Sequence, residues 1–251
     1  MLYASSTHKG NIRAINEDSL FIPLDQTHRH HGYLMAVADG MGGHRAGEVA
    51  SLMAIESLLS FLALPGQEQR MQDKPETVLY DAIALTNRKI WLLSRGSHEL
   101  GGMGTTITAA LCKTDRVIIG HVGDTRAYLF SAGQLTRVTR DHTLVQEMVE
   151  AGLLTQEDTV THMQRHILTR ALGVREREIA DIYDCPWSAG DKLLLCSDGL
   201  TEHVREDEIQ SLLAETADLP TACTTLENMA LERGGIDNIS VCMASNEEVA
   251  A

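Results

Sequence analysis

Five acidic positions in this sequence share one setting: each lies where a short apolar run begins or ends, beside glycine or asparagine. They are Asn16-Glu17-Asp18, Asp39-Gly40, Gly123-Asp124, Asp198-Gly199 and Asp237-Asn238. A single aspartate in this setting is an ordinary turn residue. If the runs are strands of one sheet system, their ends can converge, and converging carboxylates repel one another unless cations neutralise them. The repetition therefore indicates an acidic, cation-binding cluster.

The ligand types narrow the choice of cation. Hard oxygen ligands with no cysteine in reach suit magnesium, manganese or calcium rather than zinc. A glycine beside the acid lets a cation or a substrate approach the backbone, whose carbonyl can also act as a ligand. Two metals ~4 Å apart would activate water and stabilise the leaving oxygen of a phosphate ester. The pattern favours metal-assisted phosphate hydrolysis.

Short apolar runs and helix-period segments alternate along the chain, which predicts an α+β fold with antiparallel sheets packed together and helices outside. The predicted strands are Ser19–Ile22, Tyr33–Ala38, Thr105–Leu111, Val117–Val122, Arg126–Phe130, Lys192–Cys196 and Ile239–Ala244. The predicted helices are Ala46–Leu64, Pro75–Ser94, Leu144–Ala151, Glu206–Ala214 and Thr221–Arg233. The polar segment Gly152–Arg170 shows no clear period and is predicted to be a surface excursion near the active face.

Composition excludes several classes of protein. The 251 residues include 21 Lys and Arg against 35 Asp and Glu, a net charge of −14. This balance argues against nucleic acid as the main partner, because backbone binding needs clustered cations. Met1–Gly10 has no apolar run fit for a signal peptide, and no stretch approaches the ~18 apolar residues of a membrane span. The five cysteines form no close pair, which indicates a reducing compartment and a cytoplasmic protein.

Seven short motifs follow one another in the order Arg13-x-x-Asn16-Glu17-Asp18, Asp39-Gly40-Met41-Gly42-Gly43-His44, Gly104-Thr105-Thr106, Gly120-His121-Val122-Gly123-Asp124-Thr125-Arg126, Arg170-Ala171-Leu172-Gly173, Ser197-Asp198-Gly199-Leu200 and Asp237-Asn238-Ile239-Ser240. In type and order they resemble the metal-dependent protein phosphatases of type 2C (the PPM family), especially its compact bacterial members. The resemblance covers residues 10 to 242. It implies the type 2C phosphatase fold, in which two antiparallel β-sheets form a central sandwich flanked by α-helices. It also implies a single domain over residues 1–251, with a flap-like segment at about 142–170.

The resemblance implies a role for each acidic residue. Asp39 is expected to bridge two divalent cations, manganese or magnesium, and Gly40 to bind one of them through its carbonyl. Asp198 and Asp237 are expected to complete the other site, and Asp124, with the second of the core aspartates, to bind a weaker third metal.

Three further residues are expected to act around these metals. Glu17 and Asp18 are expected to hold metal-bound water by hydrogen bonds. Arg13 offers a planar fork of donors that fits a phosphate face. Together with Asp39, Asp198 and Asp237, Arg13 completes the expected catalytic set.

The proton donor for the leaving oxygen stays open at the level of sequence. Many eukaryotic members have histidine directly after the Asp-Gly pair, whereas this chain has Met41, which cannot donate a proton. The acid is then a metal-bound water, His44, or no dedicated group. His121 lies in an apolar run and is predicted to be a satisfied core histidine, and His142 is predicted to belong to a turn that opens the helix at Leu144.

The expected activity is hydrolysis of phosphoserine and phosphothreonine in proteins by direct attack of a metal-bridging hydroxide, reversing a Ser/Thr kinase. The expected partners are phosphorylated proteins and a kinase pathway, with neither nucleic acid nor membrane, and the chain is expected to be a monomer. One alternative is a non-catalytic phosphoprotein-binding regulator, which should have lost metal carboxylates. The other is a hydrolase of small phosphate esters or nucleotides, against which only the scarcity of aromatic residues argues.

Overall fold

The computed structural model describes residues 1–23, 33–42, 46–96 and 98–246, and its centre is a pair of antiparallel sheets. In spatial order, the first sheet contains β1 (Leu2–His8), β11 (Ile239–Ser245), β10 (Lys192–Cys196), β7 (Arg126–Ser131) and β8 (Gln134–Arg137). The second contains β2 (Asp18–Phe21), β3 (Leu34–Met41), β5 (Ile107–Cys112), β6 (Arg116–Val122) and β9 (Asp181–Pro186), and the short β4 (Gly104–Thr105) pairs with the end of β3.

Helices cover the outer face of each sheet. The helices are α1 (Ala46–Leu62), α2 (Gln67–Asp73), α3 (Pro75–Gly96), α4 (Leu144–Glu150), α5 (Gln156–Thr161), α6 (Asp198–Thr201), α7 (Glu206–Glu215) and α8 (Leu219–Glu232). α1 and α3 pack on the second sheet, whereas α7 and α8 pack on the first. The expected sandwich of two antiparallel sheets between helices is confirmed.

Strand alternation divides the apolar residues of the second sheet between two cores. Along β3, Leu34, Ala36 and Ala38 pack towards α1 and α3. Met35 and Val37 point the other way and meet Leu193 and Leu195 of β10 between the sheets. Both faces of β3 are therefore buried, which explains why the strand is a continuous apolar run and why the polar residues appear only at its end.

The differences from the predicted elements lie at sheet edges and in short polar helices. β1 and β9 form edges of their sheets and mix polar with apolar residues, most of them partly buried, so neither contains an apolar run. α5 buries no side chain and is defined instead by a capping box between Thr155 and Asp158, so its sequence lacks a helical apolar period. The last predicted helix begins two residues early, at Leu219, because Asp218 caps it by accepting from the Thr221 N–H.

Across the described ranges, no single helix has both the length and the apolar composition of a membrane span; α1 and α2 meet that test only as a pair bent by 91°. All five cysteines are free thiols.

Candidate active site

The acidic strand ends predicted from the sequence meet at one cavity of about 650 Å³. Its lining includes Arg13, Glu17, Asp39, Gly40, Asp124, Asp198 and Asp237. Asp18 stands directly opposite Asp39 in the pairing of β2 with β3. The fold therefore brings together every predicted site residue that the structure describes. His44 lies outside the described residues.

The backbone of Asp39 is fixed by two threonines. The Asp39 N–H donates to Thr106 Oγ1 at 2.9 Å, and the Asp39 carbonyl accepts from Thr105 Oγ1 and from the Thr106 N–H, both at 2.8 Å. The sequence motif Gly104-Thr105-Thr106 therefore acts by holding an aspartate of β3 in place. Sequence reasoning included this motif but assigned no role to it.

Close backbone approach explains the glycines around Glu17. A Cβ on Gly40 would lie 2.0 Å from the Gly47 carbonyl oxygen and 2.7 Å from that of Glu17. A Cβ on Gly47 would lie 2.5 Å from Glu17 Oε1. The Gly40 N–H donates to the Glu17 carbonyl at 3.1 Å, so both positions must be glycine for the end of β3, the start of α1 and Glu17 to keep this spacing.

Ser197 joins Asp18 to the strand end that carries Asp198. Its hydroxyl donates to Asp18 Oδ2 at 2.8 Å and accepts from the Ser240 N–H at 2.9 Å. Asp198 then opens the one-turn helix α6. The next residue must be glycine, because a Cβ on Gly199 would lie 2.1 Å from the Asn238 carbonyl oxygen.

Asn238 holds the loop between β1 and β2 against the start of β11. Its Oδ1 accepts from the Glu17 N–H at 2.8 Å, and its Nδ2 donates to the carbonyls of Lys9 and Ile15 at 2.9 and 3.0 Å. The side chain is only 4% exposed. Arg13 lies on the loop that these three bonds fix, so the Asn238 side chain sets the position of Arg13 relative to Asp237.

Arg13 is the arginine that pairs with one of the predicted acidic residues of this site. Its Nη2 lies 2.7 Å from Asp237 Oδ2, while about half of its side chain faces solvent. Burial alone would lower the pKa of Arg13, but the Asp237 and Glu17 carboxylates raise it overall. The other oxygen of Asp237, Oδ1, accepts from the Asn238 N–H at 2.8 Å. Because Arg13 binds Asp237 through Nη2, its other N–H groups can still donate at the mouth of the cavity.

The carboxylates are costly to ionise together. Burial, followed by like charge from Asp18 and Asp198, raises the pKa of Asp39 well above its usual range. Burial followed by the Asp124 carboxylate does the same for Asp198. Burial raises the pKa of Asp18 to about 6, and burial together with Asp141 raises that of Asp124 to about 7.

Three buried oxygens in this cluster have no hydrogen-bond partner: Glu17 Oε1, Asp18 Oδ1 and Asp198 Oδ1. Buried polar atoms are nearly always satisfied, so a set of unpaired anionic oxygens around one cavity calls for a missing positive partner. Arg13 is half exposed and bonded to Asp237, and Arg170 at the same cavity is paired with Glu178 and Asp181, so neither supplies it. The donor set consists of hard oxygens, which fits divalent magnesium or manganese.

A second acidic group lies beside Asp198 on the flap side of the cavity. His166 Nδ1 is 3.0 Å from Glu202 Oε1, and the ligand atoms of His166, Asp198 and Glu202 lie within 4.8 Å of one another. Sequence reasoning missed His166 and Glu202, since neither lies at the end of an apolar run.

His121 and His142, the other two histidines considered from the sequence, are buried. His121 Nδ1 lies 2.9 Å from Thr108 Oγ1, and Nε2 donates to the Arg140 carbonyl at 3.0 Å. The prediction of a satisfied core histidine is confirmed, and burial lowers the pKa of His121 to about 3. His142 does lie just before the helix at Leu144, as predicted, but both of its ring nitrogens also have partners.

Comparison with known proteins identifies the family that this geometry belongs to. A family model described as protein phosphatase 2C matches residues 9–232. The chain belongs to the protein phosphatase 2C family. The resemblance found in its motifs is thereby confirmed. Among curated relatives of this phosphatase 2C chain, the serine/threonine phosphatase stp of Listeria monocytogenes serotype 4b (strain F2365) is 38% identical over 241 residues, covering 96% of this chain and 94% of that protein.

Solved phosphatase 2C structures share the architecture. The Mycobacterium tuberculosis serine/threonine phosphatase PstP/Ppp superposes with a TM-score of 0.86 at 36% identity, covering 98% of this chain and 99% of the other. The catalytic domain of the serine/threonine protein phosphatase PstP, in complex with two manganese ions, gives a TM-score of 0.83 at 34% identity and covers 97% of each chain. These likenesses span the sheets, the helices and the acidic cavity together.

Proposed function

We propose that the acidic cavity is the catalytic centre in which this chain hydrolyses phosphoserine and phosphothreonine of other proteins. The chain is a metal-dependent protein serine/threonine phosphatase, in keeping with its family and its named relatives. The observation that carries the assignment of the centre is a pair of unpaired, buried carboxylate oxygens that belong to the cavity lining, on Glu17 and Asp198, with a third on Asp18 opposite Asp39. Such a site is complete only with cations bound.

Divalent cations fit these residues. When bound, they supply Lewis acidity towards the phosphate and lower the pKa of water so that it can act as the nucleophile. We assign two cations, manganese or magnesium, to Asp39, the Gly40 carbonyl, Asp198 and Asp237. Asp124, beside Asp198 at the same cavity, is assigned to a weaker third.

The remaining residues act on water and on the substrate. Glu17 and Asp18 each present one oxygen without a protein partner, so each can accept a hydrogen bond from water in the cavity. Arg13 is held at the mouth of the cavity by its bond to Asp237 and orients the phosphate with its remaining donors. Met41 also lines the cavity but has no proton to give. His44 is a candidate proton donor that lies outside the described residues.

Several finer points are proposed on the same basis. We propose that the chain acts as one phosphatase domain over residues 1–251, with residues 142–170 as its flap. Its partners are phosphorylated proteins of a Ser/Thr kinase pathway. A monomeric, cytoplasmic enzyme is consistent with the free thiols and the net charge of −14. The alternative of a non-catalytic binding regulator is disfavoured because Asp39, Asp198 and Asp237 are all present.

The test is hydrolysis of a phosphothreonine peptide by purified protein, with and without manganese. Metal-dependent release of phosphate should disappear in Asp39→Ala and Asp198→Ala. Asp73→Ala, which removes an exposed carboxylate on α2, should keep wild-type turnover. Activity retained in either site variant would refute the assignment of the centre. Faster turnover of nucleotides than of phosphopeptides would favour the small-ester hydrolase instead.

A further inference from the structure

Gly123, the residue before Asp124, is held by His142 through a reciprocal pair of hydrogen bonds. The His142 N–H donates to the Gly123 carbonyl at 2.7 Å. In return, the Gly123 N–H donates to His142 Nδ1 at 2.9 Å. The imidazole is buried, with its side chain only 4% exposed, so water does not compete for these bonds. Both polar groups of Gly123 are thus bound to one residue that sequence analysis treated as part of a turn.

The opposite edge of the ring contacts the far end of the flap. Because Nδ1 accepts from Gly123, the ring proton of the neutral imidazole lies on Nε2. Nε2 donates to Asp181 Oδ2 at 3.1 Å, and Arg170 Nη1 donates to Asp181 Oδ1 at 2.9 Å. Arg170 also donates through Nε to Glu178 at 3.0 Å. The 2.7 Å between Arg170 Nη1 and His142 Nε2 is therefore a contact between two donors that share one carboxylate.

The two ends of the flap are joined at this point. The Thr169 N–H donates to the His142 carbonyl, and the Leu144 N–H donates to the Ile167 carbonyl, both at 2.9 Å. Thr143 and Leu168 form an isolated β-bridge between them. His142 and Arg170, the first and last residues of the flap, thus close its base, and the His142 ring connects that base to the turn at Gly123.

The turn has little freedom of its own. Gly123 has φ 114°, and a Cβ there would lie 2.5 Å from the side chain of Thr106. Thr106 in turn fixes the backbone of Asp39. The Gly123 peptide is therefore confined between the residue that positions Asp39 and the ring of His142, and a change at His142 should displace Asp124 directly.

We propose that His142 is a positioning residue for Asp124: its Nδ1 fixes the Gly123 peptide, and through Asp181 and Arg170 its ring ties that turn to the base of the flap. The inference rests on the proposed function only in assigning Asp124 to the metal centre. It adds that His142 connects the base of the flap to the backbone that carries Asp124. His142 is not part of the cavity lining and acts through Gly123.

Two substitutions of His142 separate positioning from simple packing. In His142→Asn, the amide oxygen can take the place of Nδ1 and keep the acceptor for the Gly123 N–H. In His142→Gln, the amide reaches the Nε2 position and keeps the contact with Asp181, but the acceptor for Gly123 is lost. Both variants remove the ring, so loss of packing affects them alike.

Two readouts that do not depend on turnover decide between these cases. We expect Gly123 amide hydrogen exchange, followed by NMR in metal-free protein, to be at least about tenfold faster in His142→Gln than in His142→Asn. We expect calorimetric titration with manganese to show the weak site that Asp124→Ala removes, with affinity reduced about tenfold in His142→Gln and largely kept in His142→Asn.

Equal losses in both variants, or no loss in His142→Gln, would overturn the proposal. If His142→Gln does not fold, Asp181→Ala carries the same test, because it keeps the ring but removes the acceptor that fixes its tautomer. Faster exchange at Gly123 in that variant supports the proposal, and unchanged exchange overturns it. Since Gly123 exchange is measured without metal or substrate, its result stands even if the wild-type protein fails to hydrolyse the phosphothreonine peptide.

Discussion

Replacing Asp124 by asparagine should stabilise the metal-free protein, although it removes a proposed metal ligand. Asp124 is only 8% exposed. Burial, then the charge of Asp141, raises its pKa from 3.8 to about 7, with Arg126 opposing the shift. A rise of about three pKa units corresponds to about 4 kcal/mol of cost at a pH above 7. Because the buried asparagine amide has its own desolvation cost, we expect a smaller gain of about 1–3 kcal/mol in the free energy of unfolding.

The sign of the pH dependence follows from the raised pKa. Above pH 7 the Asp124 carboxyl is ionised in both the folded and the unfolded state, so the whole cost is present. As the pH falls below 7, the folded protein takes up a proton that the unfolded chain does not bind until about pH 3.8, and the cost is progressively relieved. At pH 5 about a third of this electrostatic cost remains, so most of the advantage of Asp124→Asn should be lost.

The assay is urea unfolding in the presence of a chelator at pH 8 and at pH 5, for wild type and Asp124→Asn. Asp207→Asn, which changes an exposed carboxylate with 68% of its side chain in solvent, is the matched control and should show no such gain. Adding manganese should raise the melting temperature of the wild type more than that of Asp124→Asn. An Asp124→Asn protein that is less stable than the wild type at pH 8, or a gain that does not change with pH, would refute this reasoning.

Two further predictions concern buried side chains next to the site. Asn238→Ala breaks three hydrogen bonds to the Arg13 loop, so it should lower the free energy of unfolding by about 2–4 kcal/mol and raise KM for a phosphothreonine peptide more than it lowers kcat. Asn246→Ala, at a buried asparagine bonded to the Thr114 carbonyl, should lose stability with KM unchanged, and equal KM values in the two variants would contradict the prediction. The His121 imidazole stays neutral in the folded state down to about pH 3, whereas the unfolded chain protonates it below 6.5, so its contribution is lost as the pH falls through that window. The stability difference between wild type and His121→Gln, measured by urea unfolding with saturating manganese, should therefore narrow by about 2 kcal/mol from pH 6.5 to pH 5, and a constant difference would exclude this linkage.

The sequence predicts the strand ends of the site well, because each combines two clear patterns: an apolar run and an aspartate beside a turn residue. A buried strand such as β3 is a continuous apolar run, and an aspartate followed by glycine marks where it leaves the core. Once the strands belong to two packed sheets, their ends meet at one cavity. This brings together Asp39, Asp124, Asp198 and Asp237. The motif order then gave the family and the fold.

The residues that position these acids were harder to recognise. Thr106, Asn238 and His142 act through hydrogen bonds to backbone groups that are distant in sequence, and a polar side chain beside a turn carries no sign of its partner. The edge strands β1 and β9 were missed for a related reason: both mix polar with apolar residues, and ladder hydrogen bonds hold them in the sheet without an apolar run.

The bond between Glu17 and Asn238 joins residues 221 positions apart, and β1 pairs along its full length with β11. At a synthesis rate of roughly 5–20 residues per second, Glu17 leaves the ribosome roughly 10–45 s before the asparagine that orients it. During that interval the early acidic residues are made but cannot form a cation site, and β2 and β3 have only their local partners. On the proposed function, the nascent chain lacks Asp237 and β11 throughout this interval, so we expect neither metal binding at the full site nor dephosphorylation until both have been made.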